Sequence, residues 1–291
     1  MADNEEAKDE NTYLFDPESA TEMARLIEQD RFTTEATGGP FSGIPAPDSL
    51  RQILDLACGP GSWVLDVAFA LPDAEVAGVD ISKTMTDYAH ARARSQGLSN
   101  ASFGVMDITK PLDFADASFD LINARALVAV LRREHWQPFI AECQRVLRPG
   151  GILRLSEPID GGNTNSPAFE RLQELGALMM KRAGYGFSVD GRTYALSPIL
   201  PGLLRASGFQ DVHTLAYAME FSAGMPAWAD VYHNYEVIIH AGTEAFVKTG
   251  VATAEEVERL FQRMIIEMNQ DDFRGMWHMI TILGTKPLEK A

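Results

Sequence analysis

The chain has 291 residues, 46% of them hydrophobic, which is enough to bury a large core without disulfides or a structural metal. Acidic residues outnumber basic residues 41 to 25, and the formal charge of −16 would repel nucleic acid and anionic membrane surfaces. The two cysteines, Cys58 and Cys143, form no C-x-x-C pair, which argues against a zinc or redox centre and fits a reducing cytosol.

The N-terminal stretch MADNEEAKDENTYLF is acidic where a secretory signal would be basic and then apolar, so we expect a tail without an export signal. No stretch approaches the roughly 18 apolar residues of a membrane span, and we expect a soluble cytoplasmic protein. Tyr13 and an amphipathic helix at 17–32 follow the tail. We predict that they fold across the ligand site as a flap, with packing on the outside of the sheet as the alternative.

Five short apolar runs predict strands that are buried on both faces, as parallel strands are. They are QILDLA (52–57), EVAGVD (75–80), ASFGVM (101–106), FDLINA (119–124) and GILRLS (151–156). Helical spacing lies between them at 62–72, 82–97 and 134–150. This alternation predicts an α/β fold with a doubly wound sheet, whose ligands lie beyond the carboxyl ends of the strands.

The pattern changes after Glu157. A turn-rich loop (158–167), a helical segment (167–183) and a glycine-rich stretch (183–194) predict a lid or pocket wall, on which Tyr185, Phe187 and Tyr194 are candidate cavity-facing aromatics. The remaining elements are a helix at 197–209, a strand at 211–221, helices at 226–246 and 254–270, and a last strand at 276–287.

The turn after the first strand, GPGSWV, satisfies G-x-G-x-x-G only in part, because Val64 replaces the third glycine. Asp55 ends that strand, where its carboxylate would repel a pyrophosphate by about 1–4 kcal/mol at intermediate dielectric. A cationic ligand reverses the sign. S-adenosylmethionine carries an ammonium, a sulfonium and only one carboxylate, so Asp55 attracts it while the amides of the glycine turn remain free.

Two further acids follow the second and third strands. Asp80, 21 positions after Gly59, can accept two charge-assisted hydrogen bonds from ribose hydroxyls, with a helix N-terminal acid as the alternative. Asp107 can accept a hydrogen bond from the adenine amine while the Ile108 N–H meets the ring. Three successive strand-end acids together predict a site for S-adenosylmethionine.

The motifs LDLACGPG, VAGVDISKTM, VMDI, SFDLINAR and RVLRPGGILRLSEP resemble, in order and spacing, those of the class I S-adenosylmethionine-dependent methyltransferases. The small-molecule branch with the quinone-type enzymes is the most similar. The resemblance covers residues 50 to 158 closely and the final strand more loosely. It implies a mostly parallel seven-stranded, Rossmann-like sheet with an antiparallel last strand, and S-adenosyl-L-methionine as cofactor, released as S-adenosyl-L-homocysteine.

Resemblance and strand-end chemistry together give a predicted set of cofactor-binding residues: Tyr13, Asp55, Ala57, Gly59, Gly61, Asp80, Ile81, Met85, Asp107, Ile108, Asn123 and Arg125. The chain departs from the family pattern at two places. Cys58 stands where glycine is frequent, and we expect it to be a packing residue. Arg125 is unusual beside a cation; it can bind the methionine carboxylate, pair with a substrate acid, or form a structural salt bridge.

Methyl transfer needs mainly alignment and exclusion of water, and a general base only where the acceptor must lose a proton. The candidate bases are Glu157, at the end of the fifth strand, His135, and His233 between Tyr232 and Tyr235. The respective alternatives are a loop-anchoring carboxylate, a capping or packing residue, and a residue satisfied within an amphipathic helix. We predict no bound metal.

The sequence therefore predicts a methyltransferase that acts on an O, N or C atom of a small, apolar metabolite. The alternatives are a non-methylating S-adenosylmethionine enzyme that catalyses cyclisation or decarboxylation, a nicotinamide-dependent dehydrogenase, and a catalytically silent binding subunit. We expect one compact domain that can form a homodimer. Its parts are a tail and flap (1–48), an S-adenosylmethionine-binding core (49–158), a lid (159–205) and a segment that completes the sheet (206–291).

Overall fold

The computed structural model describes residues 12–288, and the predicted acidic tail at 1–11 lies outside them. The strands are β1 (Gln52–Leu56), β2 (Glu75–Asp80), β3 (Ala101–Val105), β4 (Phe119–Arg125), β5 (Leu147–Pro158), β6 (Asn163–Thr164), β7 (Gln210–Glu220) and β8 (Gly275–Thr285). The helices are α1 (Ala20–Ala36), α2 (Ser62–Ala70), α3 (Lys83–Gln96), α4 (Trp136–Val146), α5 (Pro167–Arg182), α6 (Leu200–Ala206), α7 (Trp228–Lys248) and α8 (Ala254–Met268).

The strands form one sheet in the order β3-β2-β1-β4-β5-β8, and β7 pairs with β8. Neighbours from β3 to β5 are parallel, whereas β8 runs antiparallel to both β5 and β7. The two-residue β6, which lies inside the predicted loop at 158–167, pairs with Gly275 and Met276 of β8. Apart from this short addition, the predicted doubly wound, mostly parallel seven-stranded sheet with a reversed last strand is confirmed.

Apolar side chains bury both faces of the central strands β1, β4 and β5. The edge strand β3 is not buried on both faces as predicted, because it has a neighbouring strand on one side only. In β1, Ile53 belongs to one buried cluster and Leu54 to another, because successive side chains of a strand point to opposite faces. Trp63 of α2 packs in the first cluster and Trp136 of α4 in the second, and both indoles are almost completely buried. The helices on both faces therefore leave the strand ends as the place where polar side chains can gather.

Local signals fix the helix boundaries near the carboxyl ends of the strands. The Ser82 hydroxyl accepts a hydrogen bond from the Met85 N–H at 3.1 Å, which caps the start of α3 directly after β2. Gly97 ends the same helix in a left-handed conformation with φ of 70°.

Across residues 12–288, none of the helices is both long and apolar enough to cross a membrane.

Candidate active site

A cavity of about 260 Å³ lies at the carboxyl ends of β1, β2 and β3. Asp55, Asp80 and Asp107, which follow or end these three strands, all line it. Parallel strands bring their carboxyl ends to one edge of the sheet, so acids far apart in sequence meet there. Helices α1, α5 and α7 supply much of the remaining wall.

The glycine turn between β1 and α2 has an unusual backbone. Ala57, Gly59 and Gly61 have φ of 56°, 53° and 77°, and Ala57 is in a region that residues with a side chain rarely adopt. Of the predicted cofactor contacts in this turn, Ala57 and Gly59 line the cavity, whereas Gly61 is not among the lining residues. A Cβ on Gly61 would lie 2.5 Å from the Phe103 ring, so this glycine permits close packing of α2 on the sheet.

Asp80 joins two loops of the site. Its carboxylate accepts hydrogen bonds from the Gly59 N–H at 2.8 Å and from the Ser82 N–H at 2.9 Å. Burial raises the pKa of Asp80, while these hydrogen bonds from the backbone oppose the shift. The carboxylate is thus held at the cavity wall, between the glycine turn and the start of α3.

Asp55 is buried at the end of a chain of polar side chains that crosses the neighbouring strands β1, β4 and β5. Asn123 donates a hydrogen bond from its Nδ2 to Asp55 Oδ1 at 2.7 Å, and its Oδ1 accepts one from the Arg154 guanidinium at 2.6 Å. Desolvation raises the pKa of Asp55 to about 7, against the opposing effect of the Arg125 charge. Asn123 does not line the cavity, and its hydrogen bond orients the Asp55 carboxylate.

The third strand end supplies both polar and apolar surface. Asp107 Oδ1 accepts hydrogen bonds from the N–H and the hydroxyl of Thr109 at 2.9 and 2.7 Å. Ile81, Met85 and Ile108 also line the cavity. They add apolar surface beside the carboxylates of Asp80 and Asp107.

Arg125 is ion-paired with Asp30 of α1 and donates a hydrogen bond to the Thr34 hydroxyl at 3.0 Å. Both charged residues line the cavity. Of the three roles considered for Arg125, the structure thus contains the salt bridge, which fastens α1 to the end of β4.

Tyr13 and α1 form one side of the cavity, in the position expected of a flap. The Tyr13 hydroxyl donates a hydrogen bond to Glu22, and the Arg25 guanidinium binds the same carboxylate at 2.6 and 2.8 Å. Arg25 also donates to Asn234 Oδ1 on α7 at 2.8 Å. A buried polar network therefore ties the flap to α7.

The wall away from the strand-end acids is mostly apolar. Its apolar side chains come from α5, α7 and β8, and they are Leu172, Met179, Met180, Ile238, Ile239, Phe246, Trp277 and Met279. Of the three aromatics considered in the glycine-rich stretch, Tyr194 lines the cavity and Tyr185 and Phe187 do not. Tyr235 lines it as well, whereas Tyr232 stacks on Trp228.

The three candidate bases lie outside the cavity lining. Glu157 is fully buried, and its carboxylate accepts hydrogen bonds from the Leu127 and Val128 N–H groups at 2.8 and 3.1 Å. Burial raises the pKa of Glu157 to about 8. His135 lies at the junction with α4, and His233 faces solvent on α7, next to Glu236. Glu157 is thus placed as a loop-anchoring carboxylate, and the side chain of His135 makes no capping hydrogen bond.

None of the six histidines of the chain, all within residues 12–288, lines the cavity. Sequence reasoning missed other polar lining residues, among them Arg25, Asp160, Gln173 and Asn234. Helical periodicity could have placed Arg25 on the inner side of α1, but the contact between Arg25 and Asn234 joins residues that are 209 positions apart. No pattern within a short stretch of sequence predicts a contact between residues so far apart.

Comparison with known proteins identifies the family. A family model described as a methyltransferase domain matches residues 53–151. A ubiquinone/menaquinone biosynthesis C-methyltransferase from Desulfotalea psychrophila is 30% identical over 192 residues, which cover 63% of this chain and 72% of that protein. The methyltransferase pytC from Aspergillus terreus is 26% identical over 251 residues, covering 81% of this chain and 72% of pytC.

The chain also shares its fold with a solved structure. The [4+2]-cyclase SpnF superposes with a TM-score of 0.52 at 19% identity, covering 94% of this chain and 96% of SpnF. The chain belongs to the class I S-adenosylmethionine-dependent methyltransferases, as its motifs indicated. It is an enzyme of that family, and its cofactor is S-adenosylmethionine.

The residues that are present fit this cofactor. The donor and acceptor set at the strand ends consists of carboxylates, backbone amides and apolar side chains, and the Arg125 charge is already paired with Asp30. A cation is therefore attracted where a pyrophosphate would be repelled.

Proposed function

We propose that the enzyme transfers a methyl group from S-adenosylmethionine to an O, N or C atom of a small, mostly apolar metabolite. One observation carries the proposal: a single cavity has strand-end carboxylates on one wall and apolar side chains of α5 and α7 on another. The relatives with named substrates support a small-molecule acceptor but do not identify it.

We propose the following roles for the residues at the strand-end wall of the cavity, from the chemistry of their side chains and backbone groups. Asp80 binds the ribose hydroxyls, Asp107 and Ile108 bind the adenine, and Ile81 and Met85 pack beside the adenosine. Asp55, oriented by Asn123, attracts the methionine ammonium, and the backbone of the turn at Ala57 and Gly59 meets the methionine portion. Tyr13 closes the site, Arg125 holds the flap through Asp30, and Gly61 shapes the turn.

When bound, the cofactor supplies an electrophilic methyl group on a positively charged sulfur. The chain's own contribution is alignment of the acceptor and exclusion of water by α1, α5 and α7. No histidine lines the cavity and Glu157 is anchored to the loop at Leu127 and Val128, so we infer that no His or Glu157 base assists the transfer. The acceptor atom is then one that is nucleophilic without deprotonation by these residues.

We propose the following parts of the chain from these roles: an N-terminal tail and helical flap (1–48), a cofactor-binding core (49–158), a lid (159–205) and a sheet-completing segment (206–291). We also propose action in the cytoplasm, supported by the free thiols of Cys58 and Cys143, and a homodimer, which light scattering would test. The function itself is tested by incubating the enzyme with S-adenosylmethionine and a panel of aromatic and aliphatic small molecules. A product heavier by one CH₂, formed together with S-adenosylhomocysteine, supports methyl transfer, whereas cofactor binding without any such product contradicts it.

A further inference from the structure

We propose that Asn234 recognises a hydrogen-bond-accepting oxygen, of the carbonyl or phenolate type, on an otherwise apolar methyl acceptor. The inference rests on the proposed function, since it names the chemistry of the molecule that the cavity holds. Asn234 lies on α7, is 2% exposed and lines the cavity.

The neighbouring arginine fixes the orientation of the Asn234 amide. Its Oδ1 accepts a hydrogen bond from an Arg25 nitrogen at 2.8 Å. A guanidinium can only donate, so the amide oxygen must face Arg25 and the Nδ2 group must point elsewhere. The donor that remains for other partners is therefore Nδ2.

That donor is unsatisfied in a way that no other cavity group shares. Within residues 12–288, the buried side-chain atoms without a hydrogen-bond partner include two from cavity-lining residues, Asp30 Oδ1 and Asn234 Nδ2. Asp30 Oδ1 is ion-paired with Arg125, so its charge is compensated. Asn234 Nδ2, by contrast, has no hydrogen-bond partner among the described residues.

The polar groups around Asn234 already have partners, so the partner for its Nδ2 group must come from the ligand. The adjacent Tyr235 hydroxyl already donates to the Gly161 carbonyl, and Arg25 already binds Glu22 and Gln29. Much of the remaining wall near α7 is apolar, with Ile238 and Ile239 one turn further along the helix. An unpaired buried donor costs free energy, and an oxygen on the ligand removes that cost where a hydrocarbon cannot.

The test compares two bicyclic probes that differ by one carbonyl, 1-tetralone and tetralin, binding to the full chain saturated with S-adenosylhomocysteine. Isothermal titration should show the ketone binding about threefold to tenfold tighter than the hydrocarbon, the range expected for one hydrogen bond. Asn234→Asp keeps an oxygen toward Arg25 but lacks the donor, so the preference should disappear. Asn269→Asp makes the same change at an exposed site at the end of α8 and should leave the preference intact.

If Asn234→Asp melts below the assay temperature, Asn234→Leu serves as a second test, because leucine has a similar volume and no donor. This variant should also abolish the preference for the ketone. Equal binding of the two probes to the wild type, or a preference that survives in both Asn234 variants, overturns the inference. A variant that weakens S-adenosylhomocysteine binding and keeps the ketone preference also overturns it, because Asn234 then serves the cofactor. Failure of both probes to bind the loaded wild type contradicts the apolar acceptor of the proposed function, and the inference falls with it.

Discussion

Replacing Asp80 with alanine should reduce the affinity for S-adenosylmethionine by about 100-fold or more. We expect the Asp80 carboxylate to accept a hydrogen bond from each of the two ribose hydroxyls. Hydrogen bonds to charged groups contribute about 1.5–3 kcal/mol each. The lower bound of about 3 kcal/mol corresponds to a change of roughly 150-fold in Kd. The alanine variant also loses the hydrogen bonds from the Gly59 and Ser82 N–H groups, which shape the turn around the ligand.

Asp120 provides a matched control for this loss of structure. Its carboxylate likewise accepts two backbone hydrogen bonds, from the Arg51 and Gln52 N–H groups at 2.9 and 2.8 Å, but near the amino end of β1. Isothermal titration with S-adenosylhomocysteine and a melting curve should be recorded for both alanine variants. Unchanged affinity in Asp80→Ala, or an equal loss in Asp120→Ala, would refute the assignment of the ribose site.

Three further predictions follow from Asp55, Glu157 and Gly61. The affinity of the wild type for S-adenosylmethionine should rise between pH 5.5 and 7.5, because the pKa of Asp55 is raised to about 7 and a cation favours the ionised form; titration of Asp55→Asn should show a much flatter profile. The stability advantage of the wild type over Glu157→Gln, measured by urea unfolding, should be largest below pH 5 and should shrink toward pH 8. Gly61→Ala should destabilise the fold by about 2–4 kcal/mol in the same assay, since φ is 77° and the new Cβ would meet Phe103.

The sign for Glu157 follows from its raised pKa of about 8, which burial causes. Between its unfolded pKa and pH 8, the unfolded chain releases a proton that the folded chain retains, so stability falls as pH rises. A difference between the two proteins that grows with pH would contradict this reading. If Glu157→Gln instead abolished methyl transfer with full stability and full cofactor affinity, Glu157 would be a base after all.

Each of the other two predictions has its own contrary outcome. An Asp55→Asn variant with the same pH profile as the wild type would show that another group governs cofactor affinity. For Gly61, the double variant with Phe103→Ala should recover part of the loss, because the ring is the nearest obstacle to the added Cβ. No recovery would assign the loss to the backbone conformation and to Ala89, whose Cβ would lie 2.8 Å from the added one.

Much of the fold could be predicted because its signals are local. Buried runs such as EVAGVD match β2 residue for residue, and Ser82 caps α3 in the sequence position that a helix start requires. The strand-end acids could also be predicted, since the order of parallel strands alone brings Asp55, Asp80 and Asp107 to one edge. β6 could not, because two residues carry no periodicity and pair only through β8.

The sequence could not show which of the candidate bases face the cavity, and the reason is geometric. Glu157 lies between Ser156 and Pro158, which both line the cavity, so the alternation of a strand turns its own side chain to the other face. Both faces of β5 are buried, so the hydrophobic pattern does not reveal which face holds the ligand. On α7, the exposed His233 and the buried Asn234 are consecutive residues, and only packing decides which of them meets the cavity.

A crystal structure of the enzyme with S-adenosylhomocysteine tests the central claim most directly, because it shows where the cofactor lies in the cavity. The account predicts both ribose hydroxyls within about 2.6–3.2 Å of the Asp80 carboxylate and the sulfur facing the apolar wall of α5 and α7. A ligand whose ribose contacts neither oxygen of Asp80, or whose sulfur faces away from that wall, would contradict it.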